Sequence, residues 1–197
     1  MSRILGTIFI CLFLISCGSG YGSPPRELEN ACGILQERPE YLKAFRAAER
    51  RWGIPIHVQM ATIYHESSFI SNARPPYRYA LGFIPVKRRS TAYGYSQALD
   101  GTWDDYQRST GNRWARRTNI YDAADFIGWY MVGSRRQLGI PLNDARNQYL
   151  AYHEGRRGYS RGSYRQKNWL IGVSRQVEQR SHKYQKQLES CRLTRRA

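Results

Sequence analysis

The chain has 197 residues, of which 41% are hydrophobic and 13% aromatic, and this composition excludes a chain that is disordered throughout. Its 31 Lys and Arg residues outnumber 15 Asp and Glu residues, for a formal net charge of +16. Such a charge attracts polyanions over about one Debye length, ~8–10 Å. Nucleic acid, anionic lipid and an acidic cell-wall polymer all meet that condition, so charge alone does not choose among them.

The N-terminus has the pattern of a bacterial export signal. Arg3 precedes an apolar run, residues 4–15, that is shorter than the ~20 residues of a membrane-spanning helix. The run leads into Leu14-Ile15-Ser16-Cys17, which resembles the lipobox of bacterial lipoproteins, where cleavage before the cysteine leaves it lipidated. The alternative is an ordinary secretory peptide with an incidental cysteine. Gly18 after the cysteine favours, by resemblance to known sorting signals, a periplasmic protein anchored by lipid in the outer membrane.

These features predict four regions along the chain. They are a signal peptide over 1–16, a lipid anchor with a flexible Gly- and Pro-containing linker over 17–31, a folded domain over 32–191, and a basic tail over 192–197. A nucleic-acid module is disfavoured, because the signal directs the chain out of the cytoplasm and no groove-reading motif is present.

The cysteines fit an oxidising compartment. Cys11 lies in the discarded apolar run and Cys17 would carry lipid, which leaves Cys32 and Cys191 to form a disulfide. No second close cysteine and no paired histidine spacing accompany them, so neither a metal site nor a cofactor is expected.

Apolar periodicity and capping residues predict a mainly α domain. Helices are predicted, in chain order, over 40–52, 55–67, 102–109, 122–138, 143–153 and 163–188. Residues 70–93 are rich in proline, aromatic and basic residues and predict an irregular functional segment, with a short hairpin possible within 75–93. Residues 156–162 predict a basic, Gly-rich loop.

Three short motifs occur in a fixed order along the chain. They are Ile63-Tyr64-His65-Glu66-Ser67-Ser68-Phe69 at the end of an apolar helix, Ala92-Tyr93-Gly94-Tyr95-Ser96-Gln97, and Ala151-Tyr152-His153-Glu154-Gly155. In this order they resemble the soluble lytic transglycosylase (SLT) domain of the lysozyme-like superfamily, over roughly residues 40–160. The resemblance implies a single lysozyme-like helical domain that cleaves the MurNAc–GlcNAc bonds of peptidoglycan.

Glu66 is the predicted catalytic residue. Glycosidic cleavage needs a carboxylic acid that protonates the leaving oxygen, and an apolar site can keep it neutral near pH 7. The first two motifs offer no second carboxylate. The resemblance implies instead that the substrate's N-acetyl group assists, and that Glu66 then deprotonates the muramic 6-hydroxyl to give a 1,6-anhydro ring.

The resemblance also implies residues that contact the substrate. Gln97 would hydrogen-bond sugar near the cleavage point, and Tyr152 would hydrogen-bond the catalytic carboxylate. The remaining candidates for the groove are Ser67, Tyr93 and Tyr95.

The chain departs from the family pattern in three places. The Glu66–Gln97 gap is long, which predicts an insertion within 74–91. Tyr-Ser stands where Leu-Met is typical, and His153-Glu154 stands where Asn-Ala is usual.

Two other functions remain open at this stage. A muramidase would use water, with Glu154 as a second catalytic carboxylate, and its products would be heavier by one water. A non-catalytic lipoprotein would use the groove and the charge to hold the cell wall. A partner in envelope assembly is compatible with this location, and no residue pattern identifies one.

Overall fold

Seven α-helices and one two-stranded antiparallel sheet make up residues 22–191, the part of the chain that the computed structural model describes. The elements are α1 (Ala31–Glu37), α2 (Pro39–Trp52), α3 (Ile56–Ser67), β1 (Tyr77–Ala80), β2 (Ile84–Arg88), α4 (Asp100–Thr110), α5 (Ile120–Leu138), α6 (Ala145–Ser160) and α7 (Asn168–Ser190), with a 3-10 helix, Ser163–Gln166, before α7. The mainly α class with a short hairpin is as predicted. The predicted signal peptide, the predicted lipidation site Cys17 and the predicted basic tail lie outside the described residues.

Helix α5 is the central helix, and its buried face packs on α2. Its N-cap is Asn119, whose side chain accepts hydrogen bonds from the backbone N–H groups of Tyr121 and Asp122. Asp125 ties three helices together. Its carboxylate accepts hydrogen bonds from Trp52 Nε1 on α2 at 2.7 Å and from the Tyr106 hydroxyl on α4 at 2.8 Å.

Helix α7 closes the domain by packing on α3 and α6. Its buried stripe includes Leu170, Val177 and Tyr184, whereas Trp169 is 58% exposed. No helix within residues 22–191 has the length and apolar character needed to cross a bilayer.

A disulfide joins the two ends of the domain. The structure pairs Cys32 with Cys191, as the sequence predicted, with their Cα atoms 6.0 Å apart and a sequence separation of 159. In the chain-entropy view a loop of this length contributes about 5 kcal/mol to stability. The short helix α1, which the sequence analysis missed, is held at this junction, where Gln187 accepts a hydrogen bond from the backbone N–H of Ala31 at 2.8 Å.

The folded region begins before residue 32. Glu29 pairs with Arg180 and Lys183 of α7, each at 2.6 Å, and the Tyr184 hydroxyl donates to the carbonyl of Leu28. The last residues of the predicted linker over 17–31 are therefore part of the domain.

Helix α6 differs from its prediction at both ends. Its N-cap is Asp144 rather than Asn143, and the chain does not become a loop after Gly155. Gly155 takes φ 72° and ψ 153°, which kinks the helix, and helical structure then continues to Ser160. Arg156 holds this continuation against α5, since its Nη2 donates to the carbonyl of Tyr130 at 2.9 Å.

The hairpin formed by β1 and β2 lies inside the segment predicted to hold an insertion. The register pairs Tyr77 with Arg88 and Ala80 with Ile84, with an irregularity between Arg78 and Tyr79. Neither strand packs on a helix among the described residues, so both faces of the hairpin are open to solvent.

Candidate active site

Glu66 lies near the C-terminal end of helix α3, most of which is buried. Eight of its twelve residues are buried, so the helix is enclosed on most sides by the rest of the fold. Glu66 is its penultimate residue and remains partly exposed to solvent. A carboxyl group at the end of such a helix is separated from most of the water that would stabilise its charge.

The chain leaves α3 through two residues with left-handed backbone. Ser68 has φ 50° and Phe69 has φ 61°, a conformation that costs non-glycine residues of order 1–3 kcal/mol each. Phe69 is fully buried and stacks on Tyr41 with ring centroids 5.7 Å apart, and this packing holds the turn in place. Packing therefore fixes the direction in which the chain leaves Glu66.

The pKa of the Glu66 carboxyl is raised above that of an ordinary glutamate. Burial raises its pKa to about 7, while a hydrogen bond with the Tyr149 side chain acts in the opposite direction. Tyr149 lies on α6 and is itself 5% exposed. Burial also raises the pKa of Tyr149, and the nearby Glu66 charge adds to that effect. A carboxyl that is partly protonated near neutral pH can both give and take a proton there.

The second motif forms a tight turn beside this carboxyl. Gly94 has φ 78°, and a Cβ atom at this position would lie 2.1 Å from the carbonyl oxygen of Arg117. Only glycine fits that approach, which lets the backbone N–H of Tyr95 donate to the same carbonyl at 3.1 Å. Gln97, with φ 48°, donates from Nε2 to the carbonyls of Ala73 at 3.0 Å and Gly94 at 2.8 Å.

Tyr152 links the second motif to the third. Its hydroxyl donates to the carbonyl of Ser96 at 2.6 Å. Burial raises the pKa of Tyr152 well above its usual range, and the charge of the neighbouring Glu66 raises it further. The hydrogen bond to Glu66 that the family resemblance assigned to Tyr152 is instead made by Tyr149, one helical turn earlier. The hydrogen bond from Tyr152 to Ser96 thus holds the turn that ends in Gln97 close to Glu66.

Sequence reasoning missed Tyr149, although a signal was present. Tyr149 and Tyr152 are three residues apart, which places them on the same face of a helix. Once the resemblance had placed Tyr152 beside the carboxyl, this spacing marked Tyr149 as a second tyrosine facing the site.

The three other predicted groove residues are buried or half-buried in the structure. Ser67 is 7% exposed and its hydroxyl donates to the carbonyl of Ile63, one turn back in its own helix. Tyr95 is 8% exposed, and its hydroxyl is 3.0 Å from that of Tyr41. The hydroxyl groups of both side chains therefore already form hydrogen bonds within the protein. Tyr93 is half-buried under the guanidinium of Arg74, which lies 3.8 Å from its ring centroid.

Glu154 lies in a different environment from Glu66. Its carboxylate contacts Lys167 Nζ at 2.8 and 3.0 Å and also accepts from Ser163 and His153. Desolvation raises the pKa of Glu154, but the hydrogen bonds from Lys167, Ser163 and His153 outweigh it and bring the pKa to about 2. This carboxyl is ionised at any physiological pH and is fixed in an ion pair.

Metal ligands are not assembled anywhere in the described part of the chain. Within residues 22–191 no group of three or more His, Cys, Asp or Glu side chains is placed to hold an ion. The groups that the structure brings together at the site are Glu66, the two tyrosines of α6 and the turn that ends in Gln97.

A helical domain in which a mostly enclosed helix ends in a partly desolvated glutamate with a raised pKa, next to a glycine-dependent turn, is of the lysozyme-like class. The family model described as "Transglycosylase SLT domain" matches residues 5–191, and the chain belongs to this family. The family implies degradation of peptidoglycan. Neither the curated proteins nor the solved structures contain a match to this chain.

Proposed function

We propose that this protein is a lytic transglycosylase, which cleaves the MurNAc–GlcNAc bond of peptidoglycan without net consumption of water. The observation that supports it best is the carboxyl of Glu66, whose pKa of about 7 comes from burial and whose hydrogen-bond partner is Tyr149. Membership in the SLT family supplies the substrate class.

The proposed reaction begins with Glu66 in its neutral form. Its proton passes to the glycosidic oxygen as the bond from that oxygen to the anomeric carbon breaks. The carbonyl oxygen of the substrate's N-acetyl group bonds to the anomeric carbon and holds the developing positive charge. Burial favours the neutral acid before this step and makes the resulting carboxylate a competent base after it.

In the second step the Glu66 carboxylate removes the proton of the muramic 6-hydroxyl. The freed oxygen attacks the anomeric carbon, the N-acetyl oxygen leaves, and a 1,6-anhydro ring closes. Glu66 ends protonated, as it began, so one carboxyl serves both steps.

The surroundings of Glu66 favour this route over a hydrolase with two carboxylates. Within residues 22–191, no second carboxylate is among the groups that shift the pKa of Glu66. Glu154, the candidate for such a partner, is bound to Lys167 and has a side chain only 4% exposed.

Mass spectrometry of the products tests the proposal. Purified peptidoglycan digested with the protein should yield muropeptides that end in 1,6-anhydro-muramic acid. Products heavier by one water would identify a muramidase. The absence of any released muropeptide would favour a protein that only binds the wall.

We further propose that lipid on Cys17 anchors the protein in the periplasm, in the outer membrane. The lipobox-like sequence before Cys17 and the Gly18 that follows support this location. Labelling cells with palmitate tests it, since the wild-type chain should be labelled and Cys17→Ser should not. Equal labelling of the two would contradict the anchor.

A further inference from the structure

The β1–β2 hairpin exposes a concentration of apolar side chains. Of the ten large hydrophobic side chains exposed within residues 22–191, six lie in residues 77–86. Leu81 and Phe83, at the turn, are 82% and 73% exposed, and Val86 is 63% exposed. Apolar residues grouped in this way on a soluble domain usually mark a surface that another surface covers. The proposed reaction at Glu66 gives these side chains no role.

The base of the same hairpin is strongly cationic. Between Glu66 and Asp100 the sequence has no acidic residue, and the basic residues in that interval are Arg74, Arg78, Lys87, Arg88 and Arg89. An open pocket of about 480 Å³ at the base is lined by four of these, together with Arg117 and Asp100. The single carboxylate in the pocket is already bound by Arg117 at 2.7 Å. The pocket therefore suits an anionic oxygen group such as a phosphate.

Two contacts near the base of the hairpin position the Arg88 side chain. Arg88 lies over the ring of Tyr77, 4.1 Å from its centroid, and donates to the carbonyl of Pro75 at 2.7 Å. Among the described residues, no carboxylate lies within salt-bridge distance of Lys87 or Arg89. These two cations are available to an outside partner.

One partner accounts for both the apolar turn and the cationic base. The turn lies about five residues beyond the base, or ~16 Å along a strand. Interfacial segments bury apolar side chains ~5–10 Å deep at the headgroup boundary, while nearby Lys and Arg side chains bind anionic headgroups. A carboxylate on a peptidoglycan peptide could occupy the pocket but would leave Leu81 and Phe83 in water.

Gly22, the first described residue, lies close to the segment that carries the hairpin. Gly22 lies against Asn72, since a Cβ atom on Gly22 would be 3.6 Å from the Asn72 Oδ1. Asn72 directly precedes the segment that carries the hairpin. Cys17 is five residues before Gly22, a reach of at most ~18 Å. A lipid on Cys17 and the hairpin could therefore meet one bilayer.

We propose that residues 74–89 form a membrane contact that is separate from the lipid anchor. Leu81 and Phe83 enter the interfacial region of a bilayer, and Lys87, Arg89 and the pocket beside them bind the phosphates of anionic phospholipids. This contact would fix the orientation of the domain on the membrane. It does not depend on the chemistry at Glu66.

Vesicle binding tests the proposal with a chain that carries no lipid. Residues 18–197 contain all the helices of the described region, the hairpin and the disulfide, and they can be secreted behind an unrelated cleavable signal. This chain should sediment with vesicles of phosphatidylethanolamine and phosphatidylglycerol, and far less with phosphatidylcholine. The double variant Leu81→Ser/Phe83→Ser should weaken binding at least about tenfold, because two apolar side chains lose their burial. Lys87→Ser/Arg89→Ser should weaken it by about thirtyfold, because two cations lose their attraction to the anionic surface.

Matched variants elsewhere on the surface serve as controls. Trp114→Ser removes a side chain that is 92% exposed outside the hairpin, and Arg135→Ser/Arg136→Ser removes the same charge from the end of α5. Both should bind vesicles as the parent chain does. A nitrobenzoxadiazole label on Leu81→Cys should brighten on binding, whereas one on Trp114→Cys should not.

Two results would overturn the proposal. The first is vesicle binding by the hairpin variants equal to that of the controls, with no change at the label on position 81. The second is a loss of binding to insoluble peptidoglycan with vesicle binding intact, which would make the hairpin a wall contact.

Discussion

The side chain of Tyr149 is hydrogen-bonded to the carboxyl of Glu66, and the two residues come from different helices, α6 and α3. Burial raises the pKa of Glu66, and this hydrogen bond lowers it, so the value of about 7 is a balance of the two. The structure therefore contains one residue that can be changed to shift the proton affinity of Glu66 without removing the carboxyl.

Replacing Tyr149 should move the pH profile of peptidoglycan cleavage. The proposed first step needs Glu66 protonated, so kcat/KM should fall as pH rises through the Glu66 pKa. Tyr149→Phe removes a group that favours the carboxylate, so the pKa should rise. The alkaline limb of kcat/KM should then shift to higher pH, by about one pH unit or less, the equivalent of one hydrogen bond.

Tyr159→Phe is the matched control for that experiment. Tyr159 lies on the same helix and donates its hydroxyl to Asn147 Oδ1 at 3.0 Å. Its loss should leave the limb in place. An alkaline limb that moves to lower pH in Tyr149→Phe would mean that the tyrosine does not stabilise the Glu66 carboxylate.

The raised pKa of Glu66 also predicts a stability cost. The pKa is about 7 in the folded protein against 4.5 for an ordinary glutamate, so the folded state holds the proton over that interval and the unfolded state releases it. The free energy of unfolding should therefore fall as pH rises from about 4.5 to 7. The difference corresponds to roughly 3 kcal/mol above pH 7.

Urea unfolding of the wild type and Glu66→Gln checks this cost. The amide cannot ionise, so the variant should be the more stable protein at pH 8 and should lose that advantage near pH 4. An advantage of equal size at both pH values would show that packing, rather than ionisation, separates the two proteins.

Glu154→Gln should affect stability more than catalysis. The pKa of Glu154 is about 2, so its ion pair with Lys167 contributes stability that is present above pH 4.5 and lost as pH falls through about 2. The variant should lose about 1.5–3 kcal/mol at pH 7, the range for hydrogen bonds to charged groups. Peptidoglycan cleavage should stay within a few-fold of wild type.

Lys167→Met provides the comparison, because it breaks the same ion pair and leaves the Glu154 carboxyl in place. Lys167→Met should lose at least as much stability as Glu154→Gln, because it leaves the Glu154 carboxylate, 4% exposed, without its cation, and its activity should also stay near wild type. Loss of cleavage in Glu154→Gln alone, in a protein that is still folded, would make Glu154 a second catalytic carboxylate and would favour the muramidase.

The sequence predicted those parts of the fold that have strong local signals. Helices α2 and α5 end directly before Gly53 and Gly139, both in left-handed backbone, and the C-terminal ends of these two helices were predicted to the residue. Helix α1 was missed because seven residues make a weak periodic signal, and its stability comes from Cys191 and α7, which are distant in sequence. The hairpin register could not be predicted because no buried face selects it.

The candidate site was predicted in part for the same reason. Glu66 ends an apolar helix and heads a recognisable motif, so it could be found from local pattern. The partner of its carboxyl depends on how α6 lies against α3, which no local pattern encodes. Sequence similarity therefore pointed to Tyr152, and the packing of the two helices brought Tyr149 to the carboxyl instead.

The activity of Glu66→Gln on purified peptidoglycan is the most direct test of the account. The amide keeps the size of the side chain but cannot deliver or recover a proton, and general acid–base catalysis is worth ~10²–10⁴-fold. Because one residue serves both steps, release of 1,6-anhydro-muropeptides should fall to background, while the variant stays folded and still binds the wall. Release of those products by Glu66→Gln at the wild-type rate would contradict the assignment of Glu66 as the catalytic acid and base.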